Sequence, residues 1–223
     1  MRAYQTMVAS DGYEVVLFEM PYMYISQDSG VGNHAGTFNV DFLAYDSNGR
    51  IYEAPIYAPC TMKVVAYFPT YDGANMVVFE SVNPVHLANG NLDYFTISMA
   101  HASNPPFTNI GDVVTQGQIC YYTGTYGEAS GDHLHSCIGQ GHYTGFTTRT
   151  TGHQDLTNRI EYWNGVFVNE TILLEDKGHD WLQFRGKLLE GSKKFKWVLY
   201  ANKFRKRDKV WILKKLQIQL KKN

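Results

Sequence analysis

The sequence predicts an all-β protein, mainly antiparallel, folded as a sandwich or a half-open barrel. Three observations carry that prediction. Aromatic residues make up 14% of the 223 residues, with 16 Tyr and 20 Gly, a balance that suits a turn-rich β protein better than a helical bundle. From residue 13 to residue 139 the chain is a series of short apolar or alternating runs, each closed by Gly, Pro, Asn or Asp, which is how strands and their turns read in sequence. No 3.6-residue apolar spacing occurs before residue 150, so helices have no amphipathic stripe to fold on.

The elements follow in chain order. "YEVVLFEM" (13–20) is an apolar run with β-branched and aromatic residues, and "TFNVDFLAY" (37–45) mixes polar and apolar positions as a half-buried strand does. "TMKVVAYF" (61–68) and "NMVVFESV" (75–82) are strand-like runs separated by the turn formers Pro69, Asp72 and Gly73. "DYFTISMAH" (93–101), "QICYYTG" (118–124) and "HLHSCIG" (133–139) complete the set. The Thr- and Gly-rich stretch "GHYTGFTTRTTGHQDLTNRIEYW" (141–163) predicts a surface loop with a short helix from Asp155.

Charge divides the chain. Residues 1–176 hold five Lys and Arg against eighteen Asp and Glu, a net −13, whereas residues 177–223 hold fifteen against three, a net +12. With the strand signals ending earlier, the expected organisation is a β domain over 1–165 and a basic segment over 166–223. That segment, "GSKKFKWVLYANKFRKRDKVWILKKLQIQLKKN" at its end, interleaves cations with aromatic and aliphatic residues. It suits an anionic polymer or a membrane surface, or else a solvated extension, and carries no nucleic-acid-binding motif. No run of eighteen apolar residues and no basic start leading into an apolar stretch is visible, so neither a transmembrane helix nor a signal peptide is expected. Cys60, Cys120 and Cys137 are three widely spaced cysteines, and free buried thiols are expected rather than a disulfide framework.

Chemistry concentrates in "SGDHLHSCIGQG" (130–141). On an extended chain successive side chains alternate faces, so His133 and His135 point one way and Leu134 the other. Alone, such a pair is better explained by two rings on the solvated face of a sheet. A catalytic zinc takes about three His, Asp, Glu or Cys ligands and keeps one position open. Further candidates are His34 and Asp41 in "GNHAGTFNVDF" and His101 in "SMAHASN", although the His34–Asp41 spacing leaves open whether the two groups meet. Cys137 shares the parity of the pair, which puts it either near a metal or in the core. His86, His142, His153 and His179 have no partner pattern. "GVGNHAG" and "GTYGEASG" lack the strand–loop–helix setting and the lysine of a phosphate cradle, which excludes nucleotide binding. The glutamate that a cupin barrel adds after its HxH is missing from "HSCIGQGHYTG".

The order of segments resembles the lysostaphin/LytM-type zinc endopeptidases that cut peptidoglycan cross-bridges. "APIYAPCTMKVVAYF", "ISMAHAS" and "IGDVVTQGQICYYTGTYGEASGDHLH" place Tyr57, Ala58, Pro59, Val64, His101, Gly111, Val113, Val114, Gly117, Ile119, Gly124, Gly131, His133, Leu134 and His135 on that family's pattern, over about residues 30–140. The resemblance implies a LytM-like open sheet or half-barrel with a catalytic groove. It implies zinc held by His34, Asp41 and His135, with His101 and His133 as catalytic rings beside the open position. Peptidoglycan is the implied partner. Six residues separate His34 from Asp41 where the family more often has three, a longer form that resembles the peptidase domains of phage tail tips and implies a virion-associated, wall-penetrating or lytic protein. Ser136 and Cys137 replace the usual residues after the pair, and Lys63 stands where Gly is common. The alternative is an inactive peptidase-like module that grips peptidoglycan or a partner protein. The loops around 69–75, 102–109 and 141–155 are expected to wall the groove and set its specificity.

Overall fold

β-Branched and aromatic runs pair into one dominant antiparallel sheet in the computed structural model, which describes residues 5–46, 49–70, 72, 74–147, 154–167 and 172–173. Its strands in chain order are β1 (Tyr22–Gln27), β2 (Val40–Asp46), β3 (Gly49–Ile51), β4 (Pro55–Tyr57), β5 (Met62–Phe68), β6 (Met76–Ser81), β7 (Val85–His86), β8 (Leu92–Asp93), β9 (Phe95–Ala100), β10 (Val113–Val114), β11 (Ile119–Tyr122) and β12 (Leu134–Gln140). A single helical turn, α1 (Tyr162–Gly165), and a short strand, β13 (Ile172–Leu173), follow. Among the described residues the main sheet runs β10-β5-β6-β9-β12-β2-β1-β13, with β3 on β2, while β4 pairs with β11 and β7 with β8. Among the described residues the fold is open, mostly antiparallel and nearly free of helix, as the sequence predicts.

Alternation along β12 separates two faces. Leu134 and Ile138 enter the main core with Val77, Phe79, Ile97 and Met99, whereas His135 and Cys137 belong to the opposite side. The main core closes over Phe18, Phe42, Phe79 and Phe95, all at most 2% exposed, and each such ring contributes roughly 1.5–3 kcal/mol by leaving water. The second face carries a smaller cluster of Val78, Cys137 and Leu156, with Phe38, Ala66, Phe68, Tyr143 and Phe146 against it. All three cysteines are free and buried.

One carboxyl lies inside the main core. Glu19 is fully buried, and its Oε1 accepts the hydroxyl of Tyr162, which is 3.1 Å from Ser136 Oγ on β12. Burial pushes the Glu19 carboxyl up to about 7, and the Tyr162 hydrogen bond offsets only part of that rise.

Differences from the sequence reading are local. The run 61–68 becomes β5, 75–82 becomes β6, 93–101 becomes β9, 118–124 becomes β11 and 133–139 becomes β12, each trimmed or shifted by a residue or two. The apolar run 13–20 makes isolated bridges, Val15 to His86 and Leu17 to Phe167, rather than a strand, because its buried residues pack between other segments instead of joining the sheet. β1 lies in "YMYISQ", whose preceding Pro21 breaks the run that a sequence window would follow. Asp155 starts no helix: residues 154–160 form one limb of a hairpin, with Phe146 bridged to Leu156, and the helical turn begins at Tyr162. No helix among the described residues is long and apolar enough to cross a membrane. His153, His179 and nearly all of the basic segment lie outside the described residues.

Candidate metal centre

The five residues singled out in the sequence converge on three adjacent strands. β12 lies between β9 and β2, and His135 is paired directly with Asp41 on one side and with Ala100 on the other. Because directly paired residues share a face, register alone sets Asp41 beside His135, while His101 follows Ala100 at the end of β9. His133 precedes β12 and is bridged to Gly124. His34 comes from a one-turn 3-10 segment, Gly32–His34, and is fully buried.

Distances tighten the picture. His135 Nδ1 lies 2.8 Å from Asp41 Oδ1, His34 Nε2 lies 3.5 Å from it and His133 Nε2 lies 3.6 Å from it. The rings of His101 and His133 have centroids 4.5 Å apart, and those of His34 and His135 5.0 Å apart. Ligand atoms of His34, Asp41 and His135 all lie within 4.8 Å of one another, as do those of His101, His133 and His135. A tetrahedral zinc with bonds of 2.0–2.1 Å separates its ligand atoms by about 3.3 Å, so the 3.5 Å between His34 and Asp41 is already near that edge. Two imidazoles and one carboxylate, with the histidines buried and Asp41 partly so, are a donor set that a zinc ion accepts, and the residues fit the ion.

Electrostatics follow from burial and neighbours. Burial acts to raise the Asp41 carboxyl, but the hydrogen bond from His135 and the charges of His135, His133 and His34 outweigh it and hold it at about 2. Asp41 is thus an anion at every working pH. Desolvation, reinforced by the neighbouring His135 and His133, pushes His101 down to about 3, so its ring is neutral.

Two backbone carbonyls fix the remaining rings. His101 Nδ1–H donates to the Tyr126 carbonyl at 2.7 Å, and His133 Nδ1–H donates to the Gly131 carbonyl at 2.7 Å. In both, the bond commits Nδ1 and leaves Nε2 for the centre. His101 also sits at φ +85°, a left-handed backbone that a branched-chain L residue seldom adopts and that clusters at functional sites. Its carbonyl is capped by the amide of Tyr126 at 2.9 Å, and the chain reaches that cap through Gly124, where a Cβ would stand 2.1 Å from the His101 oxygen. Gly124 is therefore the residue that lets one segment pass between His101 and His133.

Supporting residues lie outside any motif. Asp132, directly before His133, is buried; Thr123 donates its hydroxyl to Oδ1 at 2.6 Å and the Glu53 amide donates to Oδ2 at 3.0 Å, while Arg50 donates to the Asp132 carbonyl. The sequence shows Asp132 but gives no sign of partners 79 residues away. Cys137 lies one alternation beyond His135 and is covered by Leu156, with burial pushing its thiol well above the usual range; it is a core thiol. His86 pairs with Asp11 at 2.8 Å and His142 with Glu80 at 3.0 Å, both apart from the five-residue centre.

The chain resembles the lysostaphin/LytM-type peptidases. It is similar to the catalytic domain of the antimicrobial peptidase lysostaphin from Staphylococcus simulans, with 21% identity over 54% of this chain and 80% of that one and a TM-score of 0.39. Against the catalytic domain of the prophage-encoded M23 protein EnpA from Enterococcus faecalis the identity is 18% over 61% and 88% of the two chains, with a TM-score of 0.41. Against a zinc-containing peptidase from Vibrio cholerae it is 18% over 68% and 44%, with a TM-score of 0.39. In sequence, it is 28% identical over 174 residues to Morphogenesis protein 1 of Bacillus phage B103. That match takes in 77% of this chain and 45% of the relative, so the chain spans less than half of the relative's length. No protein-family model matches the chain.

Proposed function

We propose that the chain is a zinc-dependent endopeptidase that hydrolyses peptide cross-links of bacterial peptidoglycan, carried by a phage particle or prophage for wall penetration or lysis. The observation that supports it most is the geometry itself: His34, Asp41 and His135 form one compact donor set, while His101 and His133 are each held at Nδ1 by a backbone carbonyl, which leaves Nε2 for the centre, that of His133 lying 3.6 Å from Asp41 Oδ1. Zinc in that set supplies Lewis acidity to a scissile carbonyl. The anionic Asp41 balances part of its charge and leaves the rest available to substrate. His101 and His133, each held by a carbonyl at Nδ1, offer Nε2 to take a proton from the attacking water and then return it to the leaving amine. Their rigid anchoring means that little reorientation is needed at the moment of transfer. The basic segment, with its net +12 over residues 177–223, would add attachment to anionic wall polymer or membrane surface.

Metal content and wall digestion test the proposal together. The purified protein is expected to carry about one zinc, lost in His34→Ala and in His135→Ala. His101→Ala and His133→Ala should retain the metal and lose at least roughly 10²-fold in rate. Full zinc in both ligand variants overturns the ligand set. A zinc-loaded wild type that releases no new amino termini from walls of several peptide chemistries leaves the alternative, a peptidoglycan-binding module, in its place.

A further inference from the structure

The long His34–Asp41 connection raises a physical question. Residues 36–39 belong to no strand, yet His34, Thr37, Asn39 and Val40 are at most 1% exposed. An irregular buried segment must find partners for its backbone amides, and here one comes from far along the chain. The Phe38 amide donates to both carboxylate oxygens of Asp155, at 3.1 and 3.3 Å, across 117 residues.

Asp155 is itself 0% exposed. A buried carboxylate is costly unless its oxygens are hydrogen-bonded or ion-paired, and its other neighbours are the Cys137 thiol and Arg159, 3.5 Å away, whose guanidinium also lies over the Phe38 ring at 5.3 Å. The carboxylate is held on a hairpin: Phe146 bridges Leu156, the Thr147 amide donates to the Asp155 carbonyl at 2.8 Å and the Thr157 amide donates to the Gly145 carbonyl at 3.0 Å. Beyond Asp155 the same limb runs beside β12, with Gln140 N–H donating to Asn158 O at 3.0 Å and Ile160 N–H to Ile138 O at 3.0 Å. β2 pairs with β12 at Leu134, His135 and Ser136, so the limb takes up pairing with β12 where β2 leaves off. Asp155 and Phe38 meet at that junction.

We propose that Asp155 is a positioning residue for the metal centre: by clasping the Phe38 amide it holds the His34–Asp41 connection in the course that brings both ligands to His135. The inference rests on the zinc reading above. It accounts for how six intervening residues still deliver a compact donor set: the turn's own bonds, Thr37 N–H to the His34 carbonyl at 2.9 Å and Asn39 N–H to Thr37 Oγ1 at 3.1 Å, leave the Phe38 amide to be held by the carboxylate from the hairpin. Coupling of this kind is reciprocal. Metal at the centre favours the docked hairpin by the factor by which the docked hairpin favours metal.

Zinc affinity of the full chain, measured by competition with a chromophoric chelator, separates the possibilities. Asp155→Ala is expected to bind zinc roughly 10–100-fold more weakly, the range typical of lost outer-shell support. Asp155→Asn keeps an acceptor oxygen of the same reach without the charge, and should fall by only about threefold. Hydrogen exchange gives the second readout: zinc should slow exchange of the Phe38 and Thr157 amides in the wild type, and Asp155→Ala should abolish that slowing. If the alanine variant does not fold, the asparagine variant decides, and affinity equal to wild type overturns the proposal. Folded variants that both match wild-type affinity, with the same zinc-dependent protection, overturn it as well. A wild type that binds no zinc instead removes the metal reading on which the proposal stands.

Discussion

Glu19→Gln should make the protein more stable at neutral pH and flatten its response to pH. In the fold the Glu19 carboxyl titrates near 7, against 4.5 for an exposed glutamate, chiefly because it is buried. Between those two values the unfolded chain has released the proton that the folded chain still holds. Stability therefore falls as pH rises from about 4.5 to about 7 and levels off above. At 1.36 kcal/mol for each pH unit of separation, the ionised state costs the wild-type fold about 3 kcal/mol above pH 7, an order-of-magnitude figure. Glutamine keeps the oxygen that accepts the Tyr162 hydroxyl, and its NH2 takes the place of the acid's O–H at Glu19 Oε2, which has no hydrogen-bond partner. Urea titrations of both proteins at pH 4.5 and pH 8 measure the effect. The curves should nearly coincide at the lower pH and differ by about 3 kcal/mol at the higher, equivalent to roughly 6–12 °C in melting temperature. Taking the difference between the two proteins cancels the contributions of every group they share. Parallel pH profiles would refute the argument.

Two further outcomes are expected alongside the zinc, rate and exchange measurements described above. Gly124→Ala places a Cβ 2.1 Å from the His101 oxygen and 2.9 Å from the Ala102 Cα, both backbone atoms, and should destabilise by roughly 2–3 kcal/mol, whereas a Cβ at Gly131 meets nothing nearer than an Arg50 nitrogen at 3.8 Å and should stay within about 0.5 kcal/mol of wild type; equal melting temperatures for the two alanine variants would contradict the crowding at Gly124. Deleting residues 192–223 should leave cleavage of a small soluble peptide nearly unchanged while weakening attachment to walls or anionic vesicles, and attachment of the full chain should fall as salt rises from about 0.05 to 0.5 M. Loss of peptide cleavage on truncation would show the segment to be part of the fold instead.

What the sequence made legible was whatever depends on local period. His133 and His135 share a face because alternation requires it, and the runs behind β5, β6, β9, β11 and β12 are strands because their β-branched and aromatic residues suit a pleated surface. Distant pairing was not legible. Nothing in "GNHAGTFNVDF" says that the Phe38 amide will find Asp155, since the partner stands 117 residues away. Asp155 read as a helix start because an Asp before a polar run is a cap signal; the bridge between Phe146 and Leu156 overrode that local preference. The positive φ of His101 likewise depends on the Tyr126 cap and the missing side chain at Gly124. The run 13–20 shows the opposite failure, a strand-like composition whose buried residues make isolated bridges to separate segments instead of one strand pairing.

Asp41, His101 and His135 are brought together by the pairing of β12 with β2 and β9, so the three groups meet only in the native register. A slip of one residue along β12 would turn His135 into the main core and Leu134 toward Asp41. His135 and Asp41 are 94 positions apart in the chain, and contacts of such separation slow folding because a long loop must close before they form. During refolding, metal uptake should therefore lag behind collapse and rise in step with completion of the sheet. The centre is complete only once β2, β9 and β12 share their native register.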